Sequence, residues 1–518
     1  MDTGNDTREK STTTHAAESN EKHNWIKRIL KQNGPWNPAE DPLSYKGAPS
    51  IPMPVEVSDP ESLAPFFAHL RNNGTHKVSD PTAADLKGES GAEPYYNVSY
   101  IEFEKGVLYS DGRLDLCKMV TGPRNIGDLM DSLKTNSHSK HFLLGNNIIG
   151  PTGVEAIASF IEQHPTRIET WYLGANRISA TTFPRLATAM LTSPIITNIW
   201  LKRNPLGPSS APHLFNLITK CPNLRTLDLD QTELGDEGVA NLFSLLVNHN
   251  RPLPLRNIYL NATGTGPLAA AQISAYLALP SCALESLFLS NNPLGPAASL
   301  LAPGLSLTKT LQRLSLQSCG LADEHVATLL SALRSNPNSP IRALDFGQSY
   351  ATEDLGMRYN WLTTAAPFAE FVSSSTTLRY LNISHNPLSQ SSVYALLHAV
   401  SNSDSMLYLD RAARPLIRGE KDHASVKAGQ ESARLTKLVR ERLRANVRRE
   451  YGVGYEEFEA EHKRFLMSPR DVRFIDSVYR NREAGVAKRE GERLRKVWEE
   501  EGDGEGRMVT GDGVKVMV

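Results

Sequence analysis

The chain has 518 residues, 40% of them hydrophobic, and sets 56 Lys and Arg against 57 Asp and Glu for a formal net charge of −1. That balance gives no electrostatic reason to expect a general nucleic-acid binder, and no window approaches the roughly 20 apolar residues that cross a bilayer. The first 24 residues hold no apolar stretch, so no secretory signal is expected, and four dispersed cysteines without a CxxC pair point away from a zinc site or a disulfide scaffold.

In chain order, residues 1–94 are polar and then Pro-rich (NGPWNPAEDP, GAPSIPMPVEV), which predicts a largely disordered segment. One helical stretch is expected at WIKRILKQN, where Trp25, Ile29 and Leu30 share a face. From Tyr95 to Asp115 the pattern turns strand-like (VSYIEFEKGVLYSDGRLDL), with a hairpin turn at Asp111-Gly112. Residues 95–140 read as an N-terminal cap with a degenerate first repeat, LDLCKMVT from Leu114, because an open repeat array must cover its first core layer.

Over 141–410 the pattern apolar-x-apolar-x-x-Asn-x-apolar recurs: FLLGNNII, WYLGANRI, IWLKRNPL, LDLDQTEL, IYLNATGT, LFLSNNPL, LSLQSCGL, LDFGQSYA and LNISHNPL. Its sixth position is Asn147, Asn176, Asn204, Thr232, Thr263, Asn292, Cys319, Ser349 and Asn386, with steps of 27 to 31 residues and a last one of 37. A short strand alternates its side chains, so the first and third positions are expected in a core and the second and fourth outside it. The chain then bends, and an inward Asn can bond the backbone groups that the bend leaves without ladder partners. Asn147, Asn176, Asn204, Asn292, Cys319 and Asn386 are thus expected to form a structural ladder, looser wherever Asn is replaced. Amphipathic segments follow the strands. In HVATLLSALRSN, Val326, Leu329, Leu330 and Leu333 lie on one helical face. A strand, turn and helix in about 28 residues cannot bury their own apolar faces, so neighbours must stack.

These repeats resemble leucine-rich repeats of the ribonuclease-inhibitor type, over about 107 to 410. The resemblance implies an α/β solenoid, a horseshoe with parallel strands on its concave face and helices on its convex face, here with a C-terminal α-helical extension. It implies no particular activity, because that family includes inhibitors, GTPase activators and immune-receptor sensors.

Residues 411–500 are charged and helical, and 501–518 are expected to be a disordered tail. In 411–449 there are 12 Lys and Arg against 4 Asp and Glu, with Leu435, Leu438, Val439, Leu443 and Val447 as one apolar stripe. After the break at Gly452-Val453-Gly454 comes a second helix, YEEFEAEHKRFL. Ser468-Pro469-Arg470-Asp471 then opens a helix carrying Val472, Ile475, Val478 and Tyr479, and KREGERLRKVWEEE forms the last one. The basic helix has three readings: docking on acidic parts of the repeats such as Asp228, Asp230 and Asp345, binding a partner, or binding nucleic acid or an anionic membrane surface.

The second strand position reads Leu143, Tyr172, Trp200, Asp228, Tyr259, Phe288, Ser315, Asp345 and Asn382. Its aromatics, beside small or polar fourth positions (Gly145, Gly174, Lys202, Asp230, Asn261, Ser290), have the composition of an interface hot spot. The alternative is that the C-terminal helices fold back and bury this column. No GxxxxGK[ST], HExxH or GxSxG occurs, Gly502 to Gly506 follows a helix in a charged tail, and His141 and His385 are isolated. The cysteines read as core thiols. The expected function is therefore non-enzymatic, without cofactor, metal or nucleic acid. It is a monomeric cytoplasmic (or nuclear) protein-binding scaffold, with Tyr172, Trp200, Tyr259 and Phe288 as anchors and Lys202 and Asp228 setting register on an unspecified protein partner. The alternative is a small-GTPase activator similar to the Ran GTPase activator, although that family carries an acidic segment after its repeats and this chain a net basic one.

Overall fold

The computed structural model describes residues 28–29, 31–52, 57–77, 91–93, 98–412, 423–459, 474–477, 479, 507–509 and 515–517. The expected helices opening at Ser468 and at Lys488 fall largely outside these, as do residues 25–27 and 30 of WIKRILKQN. The chain forms two compact units. An early-repeat unit joins Tyr45–Leu287 to Lys463–Val518, and a late-repeat unit joins Met1–Ser44 to Phe288–His462.

In the early-repeat unit, β1 (Gly91–Glu93), β2 (Val98–Glu102), β3 (Val107–Tyr109) and β4 (Arg113–Asp115) are antiparallel neighbours in sequence order. From β4 onward the pairing is parallel, through β5 (His141–Leu143), β6 (Thr170–Tyr172), β7 (Asn198–Trp200), β8 (Thr226–Asp228) and β9 (Asn257–Tyr259). β10 (Ser286–Phe288) falls where the units divide. In the late-repeat unit, β11 (Arg313–Ser315), β12 (Ala343–Asp345), β13 (Tyr380–Asn382) and β14 (Tyr408–Asp410) are parallel in the same way. Parallel strands need a crossover, and helices supply it, as in Gly150–Gln163, Gly235–His249 and Asp323–Ser335.

The register places equivalent residues side by side. Phe142, Trp171, Ile199, Leu227 and Ile258 make one row, and Leu143, Tyr172, Trp200, Asp228 and Tyr259 the opposite one. The first row is the core, no more than 1% exposed at any of these positions. The Trp171 ring meets Phe142 edge-on with centroids 5.2 Å apart.

The asparagine ladder holds the bends. Asn204 accepts from the amides of Asn176 (2.9 Å) and Ile178 (3.0 Å) and donates to the carbonyls of Leu173 (2.9 Å) and Leu201 (2.8 Å). Asn176 accepts from the Asn147 amide in turn and donates to the Leu144 carbonyl. The threonines do less: Thr232 donates only to Leu229, and the Leu206 and Gly207 amides turn instead to the Thr232 carbonyl. The Cys319 thiol donates to the carbonyls of Leu289 and Gln317.

Ser349 is not the ladder residue of its repeat. Asn360 is: its side chain accepts from the Cys319 and Leu321 amides and donates to Leu316 and Phe346. The 37-residue step thus contains an insertion after Gly347, and Tyr350 stands 71% exposed in it. The residue before each remaining ladder position (Asn146, Ala175, Arg203, Gln231, Ala262, Asn291, Ser318, His385) is left-handed, with φ from 48° to 62°. These are uncommon conformations for non-glycine residues, held by the side-chain bonds that follow them.

Much of the Pro-rich N-terminal segment, expected to be disordered, is packed. In the early-repeat unit Asp59 caps the helix Pro60–Arg71 through the Ser62 amide (2.8 Å), and Leu63, Phe66, Phe67 and Leu70 are buried. The Phe66 ring lies where a Cβ on Gly106 (φ 119°) would fall. Residues 45–51 bond the repeat turns: Tyr45 accepts from the Asp236 amide, Ala48 donates to Ala262 and Ile51 accepts from Arg203. In the late-repeat unit the Trp36 ring covers Gly320 and Gly295. Proline removes donors without preventing this, because an extended strand can still use its carbonyls on the turns.

The basic helix His423–Tyr451 closes the late-repeat unit against the helix Gln390–Ser401. Leu435, Val439, Leu443 and Val447 are buried, whereas Leu438 is 38% exposed and does not belong to the stripe. The buried Asn446 amide donates to the carbonyls of Ser403 (2.9 Å) and Met406 (2.8 Å), and Arg442 pairs with Asp404. The helix therefore docks on the last repeat rather than on Asp228, Asp230 or Asp345. Arg507–Val509 pairs antiparallel with Lys515–Met517 in the stretch expected to be disordered. Among the described residues no helix is long and apolar enough to cross a membrane, and all four cysteines are buried thiols.

Candidate functional site

The strand positions singled out as partner anchors do form one column, but it is not open. Tyr172 is 4% exposed, Trp200 2% and Asp228 2%; Tyr259, Phe288 and Lys202 are half-buried. In the early-repeat unit Tyr172 and Trp200 have ring centroids 6.4 Å apart, and Trp200 and Tyr259 5.1 Å. They belong to one apolar cluster with Val107, Tyr109, Cys117 and Leu143, and its remaining members are Ile475 and Tyr479 from the chain's own C-terminal segment. The expectation of accessible anchors is corrected accordingly. Phe288 stands at the start of the late-repeat unit, apart from this cluster.

The small fourth positions have a different role from the one inferred. A Cβ on Gly145 would lie 2.3 Å from the Tyr172 ring, so this glycine seats the ring of the next repeat rather than leaving it open. Gly174 likewise carries the Lys202 stem, with a Cβ contact of 3.1 Å.

The covering segment is fixed at five of its residues. Phe474 stacks on His141, centroids 4.1 Å apart and planes 2° from parallel. Ile475 is 3% exposed in the cluster. The Asp476 carbonyl accepts from Arg113 Nη1 at 2.5 Å, and the same guanidinium pairs with Asp111 (2.9 Å) and lies 4.0 Å above the Tyr109 ring. Ser477 sits beside the Asp115 carboxyl. Tyr479 Oη accepts from the Gly106 amide at 3.1 Å.

Burial controls the charges here. It raises the Asp115 carboxyl above its ordinary range, although Ser477, the Cys117 amide (2.9 Å) and Arg113 favour the ionised form. Burial, helped by Arg113 and Lys140, lowers His141 to about 3, so its ring is neutral and its Nδ1 pairs with Thr170 Oγ1 at 2.9 Å. Burial pushes Asp230 to about 6 against the pull of Asn261 and Lys202, and Asn261 donates to it through its amide (2.7 Å) and side chain (3.0 Å).

The strand face of the late-repeat unit carries acidic residues of its own. Tyr380 and Tyr408 stack at 5.1 Å, 3° from parallel, near Asp345 and Asp410. Burial, with Asp410 adding to it, pushes Asp345 to about 6 despite donors from Gly347 (3.2 Å) and Gln317 (2.7 Å). A carboxyl whose folded pKa is raised binds its proton more tightly when folded, so its penalty is absent near pH 4 and accrues as pH rises to about 6. Asp345→Asn is expected to remove that fall in stability and to raise the urea midpoint at pH 7.5, a gain on the order of 1 kcal/mol. Unfolding curves at pH 4, 5, 6 and 7.5 check it; parallel pH profiles would contradict it.

The buried carboxyls are held by amides and guanidinium, the buried histidine is neutral, and among the described residues no three His, Cys, Asp or Glu are placed to hold a metal ion. Sequence reasoning found the column and read His141 as isolated, but missed its stack on Phe474, Arg113, Asp115 and the other 474–477 contacts, which follow no period.

A family described as leucine-rich repeat matches at residues 220–243 and 374–397, each joining the end of one repeat helix to a strand and the helix after it. No match was found among curated protein sequences. Among solved structures, the tropomodulin C-terminal domain of Caenorhabditis elegans is similar at 15% identity and a TM-score of 0.24, over 34% of this chain and 96% of that one. With the parallel strands, crossover helices and ladder above, the chain is a leucine-rich-repeat solenoid of the α/β class.

Proposed function

We propose that this leucine-rich-repeat chain is a non-enzymatic protein-binding scaffold whose recognition surface is the strand face of the early-repeat unit. The observation that carries this reading is the seating of Phe474 to Tyr479: the face holds an irregular peptide by aromatic stacking, apolar burial and two backbone-directed hydrogen bonds. A surface that grips one such segment has the features for gripping another, with buried aromatic anchors and a rim that includes Lys202 and Tyr259. The ribonuclease-inhibitor-type repeat, the cytoplasmic setting and the monomeric state belong to the same proposal.

Affinity capture by the full chain against the double variant Lys202→Glu/Tyr259→Arg tests it, since both residues are half-buried at the rim. Proteins held by the wild-type chain and lost by the folded variant are expected. Equal capture by both would remove the early-repeat face as the recognition surface. Faster GTP hydrolysis by purified small GTPases in the presence of the chain would favour the GTPase-activator alternative instead.

A further inference from the structure

The segment 474–479 is an imperfect occupant of its own site. Phe474 is left-handed (φ 49°), a strained conformation for an aromatic residue. The segment joins no strand ladder over 474–477. Its docking also keeps Asp115 out of water, which costs free energy whenever the carboxyl is ionised. Among its holds are two apolar plugs four residues apart, Ile475 and Tyr479, the Phe474 stack on His141, a bond to the Asp476 carbonyl and one to the Tyr479 hydroxyl. Fourteen residues of sequence separate it from the last described residue of the helical turn 455–459, so any rival peptide competes with a ligand carried on the same chain.

We propose that Phe474 to Ser477 and Tyr479 act as a displaceable pseudo-ligand, and that the early-repeat face exchanges them for a peptide segment of a partner protein carrying a large aliphatic residue and, four residues on, a tyrosine. This rests on the scaffold reading above and names its partner class and its regulation. The spacing comes from Ile475 and Tyr479. A competitor that avoids the strained residue at the Phe474 position gains over the internal segment, which offsets the advantage of the tether. The regulation is then competition, with the face closed in the free chain and open only to a ligand that outbids its own tail.

The test uses a fluorescein-labelled peptide of residues 470–483, RDVRFIDSVYRNRE, titrated into the full chain and into full-length Ile475→Asp/Tyr479→Asp, whose own segment can no longer dock. The double variant is expected to bind the peptide at least tenfold more tightly than the wild type, and a peptide with both positions changed to Asp should bind neither. If the double variant fails to fold by circular dichroism, full-length Tyr479→Phe replaces it. That change removes the acceptor for the Gly106 amide while keeping the ring, and binding two- to fivefold tighter than wild type is expected. Equal affinity in wild type and variant, or no binding by either, would overturn displaceability while leaving the scaffold reading to the capture experiment. A wild-type dimer in sedimentation that the double variant does not form would overturn the external partner in favour of segment exchange between copies.

Discussion

Replacing Asn204 with alanine is expected to destabilise the early-repeat unit by about 3–5 kcal/mol, several times the loss from Thr232→Ala. The Asn204 side chain is fully buried and makes four hydrogen bonds, two accepted from amides and two donated to carbonyls. Alanine leaves those four backbone groups without partners at a bend where water has no access, each costing about 1–3 kcal/mol before relaxation. It also releases the left-handed Arg203 from the residue that fixes its turn. Thr232 makes one side-chain bond, to Leu229, and its backbone carbonyl already serves the Leu206 amide, one of the two an asparagine would take. Losing its hydroxyl should cost about 1 kcal/mol. Urea unfolding of the two variants compares them. Equal losses would mean that the ladder is not what holds the bends.

The second large effect is expected at the other end of the array. Leu443→Ala combined with Val447→Ala should cost about 4–6 kcal/mol, because both side chains are buried where the basic helix meets the last repeat. Each substitution loses transfer free energy and leaves a cavity that a helix pinned by Asn446 and Arg442 cannot collapse. A repeat array unfolds from an uncovered end. Amide exchange should therefore quicken first in the helix Gln390–Ser401 and in strand Tyr408–Asp410. Unchanged exchange there would show that the basic helix is an appendage rather than a cap. Leu438→Ala, at a 38% exposed position of the same helix, is the control and should shift little.

Residues that obey a period were legible in the sequence. The inward strand positions, the ladder asparagines and most of the apolar stripe on the basic helix lie where their spacing put them, because each repeat faces the same packing problem. Asn360 escaped because the insertion after Gly347 breaks the phase, and a serine happens to stand at the counted position. The packed N-terminal segment escaped for a different reason. Composition measures what a segment can bury by itself, whereas Trp36 and the 45–51 stretch use glycines and open carbonyls that the repeat turns supply. The aromatic column was read correctly as a row and wrongly as an open surface. What covers Tyr172 and Trp200 lies more than 270 residues further along the chain, at Ile475 and Tyr479, and no local pattern announces a contact of that range.

Hydroxyl-radical footprinting of the full chain in solution tests the occupied face most directly, with the buried Trp171 and the exposed Tyr350 as internal standards. Tyr172 and Trp200 should oxidise as slowly as Trp171 in the wild type, and both should quicken in Ile475→Asp/Tyr479→Asp while Trp171 stays protected. Oxidation of Trp200 at a rate near that of Tyr350 in the unaltered chain would contradict the account.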